Sequence, residues 1–402
     1  MKEKTREASA MEKNVGFGVI GIGNIGFVHA NCLFGGHVSG AVLRAVCDVK
    51  GSLRQEMAQR FPGVPFYEDH KALLADPAID AVIVSVPHPL HSVIAMDAFA
   101  AGKHVLVEKP MDIRLSQGRK LCQAARESGK RFGIMFNQRT GPLFAKAREI
   151  VQSGALGQLK RSVWIITNWY RTQHYYDSGT WRATWIGEGG GVLMNQAPHQ
   201  LDLWQWICGM PETVTAFCTE AKYHTIEVED EATVLARFPG GAEGIFVTST
   251  GEYPGTNRLE ITGSKGKLVL ENGVLKWWKL LQDEREVCFT SEVSFERIAT
   301  EYQEFADTGA PHGHRDILVN FTQGILTGAP LLAPGYEGVN ELTLQNAAYL
   351  SAWKGNVPIP LPFDEEEYDR YLEEKQKNSA LGTGAAGDRK HTEYSERWQI
   401  QW

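Results

Sequence analysis

The sequence predicts an α/β chain of two domains. A doubly wound parallel sheet comes first, followed by an α/β domain with a large, open, mostly antiparallel sheet. From Val15 to about Phe136, short apolar strands alternate with helical stretches, the pattern of a parallel sheet with helices on both faces. Beyond Gly154 longer strands follow one another through tight turns, which is antiparallel chemistry. A length of 402 residues exceeds one ordinary core.

The elements read in order. "VGFGVIGIG" is a strand and "IGFVHANCLF" a helix; "AVLRAVCDV" is a strand and "GSLRQEMAQRF" a helix. "AVIVSVP", rich in Val and Ile, is a buried strand, and "HSVIAMDAFAAG" is a helix closed by Gly102. "HVLVEKP", "LSQGRKLCQAARESG" and "RFGIMFN" continue as strand, helix and strand. "GPLFAKAREIVQSGALG" is a helix ending near Gly154. The strands "RSVWIITNWY", "ETVTAFCTEA", "EATVLARFP", "AEGIFVTST", "RLEITG" and "GKLVLENG" come next, with "GSKG" and "ENG" as hairpin links. A late helix covers "EGVNELTLQNAAYLSAWKG". The predicted domains are 15–138 and 139–375, with a small, polar, poorly ordered tail over 376–402.

Apolar content of 43% and charged content of 22% are those of a soluble globular protein. A net charge of −7 argues against a nucleic-acid or anionic-membrane surface. No apolar run reaches the length of a membrane span. The opening "MKEKTREASAMEKN" is charged and lacks the apolar core of a signal peptide, and Met11 offers a second start. Six scattered cysteines with no C-x-x-C pair predict reduced thiols and a cytoplasmic protein.

"VIGIGNIGFVHA" places Gly21, Gly23 and Gly26 as G-x-G-x-x-G between a strand and a helix. The first glycine allows the turn, the second lets the backbone approach a pyrophosphate, and the third lets helix and strand pack closely. The next strand ends at Asp48, where a carboxylate can accept from adenosine ribose hydroxyls or simply cap the loop. The carboxylate repels a 2′-phosphate, which favours NAD. Lys50, two residues on, leaves NADP open. "GGGVLMNQAPHQLDLWQW" carries Asn195, His199 and Asp202 at i, i+4 and i+7, one face of a helix. His199 reads as either a proton-transfer centre or a satisfied core histidine. Pro198 requires that a helix start there or kink there.

With "VSVPHPLH", "AGKHVLVEKP" and this histidine stretch, the chain resembles the Gfo/Idh/MocA family (glucose–fructose oxidoreductase, inositol dehydrogenase and rhizopine catabolism) from about residue 15 to 360. The resemblance implies a Rossmann domain, with the nicotinamide at the seam with the second domain. It implies that Asn24, Ile25, Val49, Ser85, Pro87, His91, Glu108 and Asn137 join the glycines and Asp48 around the cofactor. Lys109, before a cis Pro110, would project beside the nicotinamide, and His199 would be the base. The family generally has aspartate where this chain has Asn195, so Asn195 is left to orient the hydroxyl. The text is most similar to a bacterial branch that oxidises sugar rings, glycosides included, at the 3-position.

Between the first long strand and the histidine stretch, aromatic and polar residues interleave without a clean period. Trp169, Tyr170, Arg171, Tyr176, Trp181 and Arg182 are candidate contacts to a hydroxylated ring, with Asp202 beside them. A domain-seam or subunit contact would look the same. His88 and His91 lack a third nearby ligand, so no metal is expected. "PHGHRD" is expected to line the pocket or cap its helix.

The expected activity is oxidation of a secondary ring hydroxyl of a sugar, glycoside or cyclitol with NAD(P). A redox-assisted glycosidase or lyase and a non-catalytic NAD-binding regulator remain open. The large sheet needs a cover for its second face. Few helices after residue 155 offer one, so a homo-oligomer through that sheet is expected.

Overall fold

The computed structural model describes residues 14–307, 309 and 312–380; the expected second start at Met11 and tail residues 381–402 lie outside them. The first sheet is built from β1 (Val15–Ile20), α1 (Asn24–Phe34), β2 (Ala41–Cys47), α2 (Arg54–Arg60), β3 (Phe66–Tyr67), α3 (His70–Leu74), β4 (Ala81–Val84), α4 (His91–Ala100), β5 (His104–Val107), α5 (Leu115–Ser128) and β6 (Phe132–Ile134). Its strands are parallel, in the order β3-β2-β1-β4-β5-β6. Strand order therefore reverses between β1 and β4, and ligands of open α/β sheets bind at that crevice. β1 and β4 are buried along their whole length, as strands covered on both faces must be.

The chain crosses through α6 (Pro142–Gln152) into β7 (Leu159–Ile166), α7 (Gln173–Asp177), α8 (Val192–Asn195) and α9 (Pro198–Cys208). Strands β8 (Thr213–Glu220), β9 (Glu229–Arg237), β10 (Glu243–Ser249), β11 (Asn257–Gly263), β12 (Gly266–Glu271) and β13 (Val274–Leu280) follow. After α10 (Glu284–Thr290) comes β14 (Thr300–Ala306), then α11 (His314–Thr327), α12 (Gly338–Trp353), β15 (Ile359–Pro360) and α13 (Glu365–Lys377). The nine-stranded sheet is antiparallel except where β10 pairs with β7. One face buries Trp164, Phe246, Val234 and Ala216 beneath the helices, with Trp204 of α9 against Phe246 at 5.5 Å. The other carries Val163, Ile165, Ile245 and Val247 half-buried, with Phe217 and Leu235 exposed.

The domains are not contiguous in sequence. Ile317, Leu318 and Phe321 of α11 and Leu342 of α12 lie in the core of the first domain. Farther along α12, Leu344, Ala347, Ala348 and Leu350 lie in the second. At the start of the expected tail, Ala380 N–H donates to Glu227 at 3.0 Å.

Candidate active site

The glycine loop opens at the crevice. Gly21 has φ +89, a conformation side chains disfavour, and a Cβ there would lie 2.4 Å from the Ser85 carbonyl. A Cβ on Gly26 would meet the Gly21 carbonyl at 1.8 Å, so α1 packs against the loop only because Gly26 has none. A Cβ on Gly23 would meet nothing within 4 Å; that side of the loop is open, as a cradle for a pyrophosphate requires. Gly23 offers no capping side chain, leaving the first N–H groups of α1, at Asn24, Ile25 and Gly26, for an anion. Ser85 Oγ donates to the Gly21 carbonyl at 2.9 Å. Asp48 accepts from Ile22 N–H and Lys50 N–H, both at 2.9 Å. It thus caps the loop and, with four lone-pair sites, still has capacity for hydroxyl donors. Val49, next in the chain, and Pro87, just past the end of β4, are exposed. These residues fit a dinucleotide.

His91, expected at the cofactor, instead places its ring nitrogens on the Pro110 and Val86 carbonyls at 2.6 and 2.8 Å. It fastens the two strand-end loops together. Asn137 is buried, with Nδ2 3.5 Å from His314 Nδ1.

Strand β5 delivers Glu108 and Lys109, and the Lys109–Pro110 bond is cis. Burial raises the Glu108 carboxyl, but the hydrogen bond and charge of His29, 2.6 Å away, outweigh it and hold it at about 2. Lys109 Nζ donates to the Asn195 carbonyl at 2.7 Å across the domain seam. Burial lowers its pKa, opposed by Glu108, Glu341 and Glu188.

The opposite wall hangs from one buried carboxyl. Glu229 of β9 accepts from Gly191 N–H at 3.0 Å, Leu193 N–H at 2.9 Å and Tyr349 OH at 2.8 Å. It thereby meets the free N–H groups at the start of α8. Burial pushes its pKa up to about 8. Asn195 ends α8, and α9 begins afresh with Pro198 in its first turn, where proline fits. The i, i+4, i+7 face is therefore broken. Asn195 and His199 stay near Lys109, while Arg139 takes up the carboxylate of Asp202, which shares α9 with His199. Its oxygens accept from Arg139 Nη2 and Nε at 2.6 and 2.8 Å, with both side chains buried. That corrects the expectation of Asp202 as a substrate contact, because its carboxylate is committed to a buried guanidinium. Burial and then the Lys109 charge push the His199 pKa well down, so the resting imidazole is neutral, its lone pair free of a proton and its protonated form disfavoured.

The aromatic segment divides. The Trp181 ring meets His88 at 5.6 Å, and Arg182 Nη1 donates to Tyr175 OH at 2.7 Å. Tyr175 OH in turn lies 3.3 Å from Asn195 Nδ2. Trp181, Arg182 and Tyr175 thus border the site. Tyr176 bonds Thr250 at 2.7 Å and packs on His224, and Tyr170 packs edge-on against Tyr253. Both belong to the second domain's own packing. Trp169 is buried beneath Arg171, whose guanidinium reaches the Trp169 and Tyr175 rings.

His29, Arg139, Glu188 and Glu229 were not singled out in the sequence. Glu188 stands immediately before the three glycines, and its Oε1 accepts from Asn195 Nδ2. His314 begins α11 with its ring 5.6 Å from His29, and burial lowers its pKa to about 3. Among the described residues no group of three or more His, Cys, Asp or Glu is disposed to hold a metal ion.

Two family models match. Residues 15–136 match the oxidoreductase family with an NAD-binding Rossmann fold, and residues 144–269 match the GFO/IDH/MocA C-terminal domain. Myo-inositol 2-dehydrogenase of Thermotoga maritima is 28% identical over 82% of this chain and 94% of its own length. Levoglucosan dehydrogenase of Pseudarthrobacter phenanthrenivorans is 25% identical over 70% of this chain and 77% of its own. The WlbA dehydrogenase from Bordetella pertussis, solved with NADH and UDP-GlcNAcA, superimposes with a TM-score of 0.73. It is 27% identical and covers 87% of this chain and 100% of its own.

Proposed function

Since the chain belongs to the Gfo/Idh/MocA family of oxidoreductases, with an NAD-binding Rossmann domain, we propose that it oxidises a secondary ring hydroxyl of a sugar, glycoside or cyclitol to the ketone. The observation that carries this reading is the convergence of Lys109, Asn195 and His199 at the domain seam, Lys109 reaching the Asn195 carbonyl at 2.7 Å. Bound NAD supplies the hydride acceptor. Gly23 and the start of α1 hold the pyrophosphate and Asp48 the ribose. Lys109 and Asn195 hold the hydroxyl, and neutral His199 takes its proton, a contribution of about two to four orders of magnitude in rate. Trp181 and Arg182 flank the ring. The relatives named for inositol and levoglucosan dehydrogenation support the substrate class. The 3-hydroxyl is the position favoured by the resemblance to the glycoside-oxidising branch, and the product analysis below tests it.

A panel of D-glucose, methyl β-D-glucopyranoside, myo-inositol and levoglucosan, followed by NADH absorbance and product analysis, tests the reading. The expected result is stoichiometric NADH and a ring ketone. Aglycone release without net NADH, or His199→Asn activity near wild type, overturns it. Among the described residues no helix is long and apolar enough to cross a membrane. All six cysteines are unpaired, which supports a reducing, cytoplasmic setting. The half-exposed outer sheet face supports a homo-oligomer, and a monomeric mass by light scattering at micromolar concentration would refute it.

A further inference from the structure

We propose that Glu188 is the positioning residue that decides which end of the Asn195 amide faces the reacting oxygen. The proposal rests on the reading above, in which Asn195 holds that oxygen.

Glu188 is 2% exposed. Its Oε2 accepts from Ala183 N–H at 2.6 Å and its Oε1 from Asn195 Nδ2. The backbone leaves it little freedom. Glu188 N–H donates to the Thr184 carbonyl at 2.9 Å, and a Cβ on the next residue, Gly189, would lie 2.5 Å from Ile113. An ionised carboxylate can only accept hydrogen bonds. It therefore compels the amide to turn its NH2 inward, which leaves Oδ1 as an acceptor for a substrate O–H. Tyr175 OH lies 3.3 Å from the same NH2 and accepts from Arg182 Nη1 at 2.7 Å; a hydroxyl both donates and accepts, so the choice of orientation falls to Glu188.

A protonated Glu188 reverses the requirement. Its O–H can donate to Oδ1, and the amide then presents NH2 to the site. That arrangement suits a ketone oxygen, which only accepts. Glu188 thus acts on the hydroxyl through Asn195, and the substrate proton still passes to His199. The groups that face Glu188 are Arg182, Lys109, Tyr175, Tyr176 and the His88 ring, whose Nδ1 lies 3.1 Å from its carbonyl. Burial raises its pKa to about 7, with Arg182 the largest opposing influence, so both forms are populated near neutrality.

The test uses full-length protein labelled with [15N]asparagine, the Asn195 side-chain signal being assigned by its loss in Asn195→Asp. In wild type that signal should shift between about pH 5 and about pH 9, with a midpoint near 7. The shift should vanish in Glu188→Gln and persist in Glu188→Asp. With the fastest substrate of the panel, Glu188→Gln should lose about tenfold in alcohol oxidation at alkaline pH, while ketone reduction is spared. NADH fluorescence checks that the variants fold. A flat Asn195 signal in wild type, or one that still titrates in Glu188→Gln, overturns the proposal. If Glu188→Gln fails to fold, the wild-type and Glu188→Asp titrations decide by themselves. Full activity of His199→Asn would instead overturn the assignment of the base, and the Asn195 titration would still judge this proposal separately.

Discussion

Replacing Asp202 with alanine isolates the electrostatics of the seam. Arg139 and Asp202 are buried and joined by two hydrogen bonds, at 2.6 and 2.8 Å, and Gln205 donates to the same carboxylate at 3.0 Å. Removing one partner of such a pair leaves an uncompensated buried charge and costs about 3–5 kcal/mol. The low end applies, because Arg139 keeps a hydrogen bond to the half-exposed Glu337 and one to the Leu332 carbonyl at 3.2 Å. At an unfolding entropy of about 2.1 cal/mol/K per residue, a body of ~370 residues loses about 4 °C in melting temperature for 3 kcal/mol. Scanning calorimetry at constant protein concentration measures it. The double variant Asp202→Leu with Arg139→Met should recover most of the loss, since apolar replacement of a buried pair is often neutral. A shift under about 1 °C for Asp202→Ala, or a double variant less stable than either single, would refute the reasoning.

Five further outcomes are expected. Gly23→Ala has room in the fold, so it should keep the melting temperature yet weaken NADH binding at least about tenfold by fluorescence titration. Gly26→Ala, whose Cβ would lie 1.8 Å from a carbonyl, should lose stability as well. Asp48→Asn should raise the NADP-to-NAD preference about tenfold, measured as the ratio of kcat/KM values. Stability should peak near pH 6.5 in urea titrations. Burial lowers His104 to about 4 and His314 to about 3, and depresses His88 and His199 as well, from 6.5. The unfolded chain therefore binds more protons below 6.5, and stability rises toward that pH. Glu188 and Glu229 are raised from 4.5 to about 7 and about 8, so from 4.5 upward the folded chain holds their extra protons; once the opposing histidine contribution ends near 6.5, stability falls until about pH 8. Glu229→Gln should flatten the alkaline decline.

Local pattern carried the first domain far. Alternating apolar strands and helices, and a glycine loop before a helix, are short-range features that survive in one dimension. The hairpins at 263–266 and 271–274 were equally legible, because turn chemistry is local. Side-chain pairing across the seam was not legible. Nothing near Arg139 announces Asp202, 63 positions on, and it was Asn195, not Asp202, whose place hung on whether a helix ran unbroken through Gln196 and Ala197. The interleaved aromatics could not be sorted either. Tyr175 and Tyr176 are neighbours in sequence, yet one hydroxyl bonds near Asn195 and the other bonds Thr250. The return of α11 and α12 to the first core also escaped, since apolar spacing says that a helix is buried and not where.

That return has a mechanical consequence. Leu342 is packed in one core and Leu344, two residues later, in the other, so a single helix is clamped at both ends like an axle in two bearings. Neither half of the molecule can swing open about the seam without dragging an apolar side chain into water, at about 1.5–3 kcal/mol for each one exposed. For the same reason heat should undo both bodies in one transition, because melting either strips the helix of half its support.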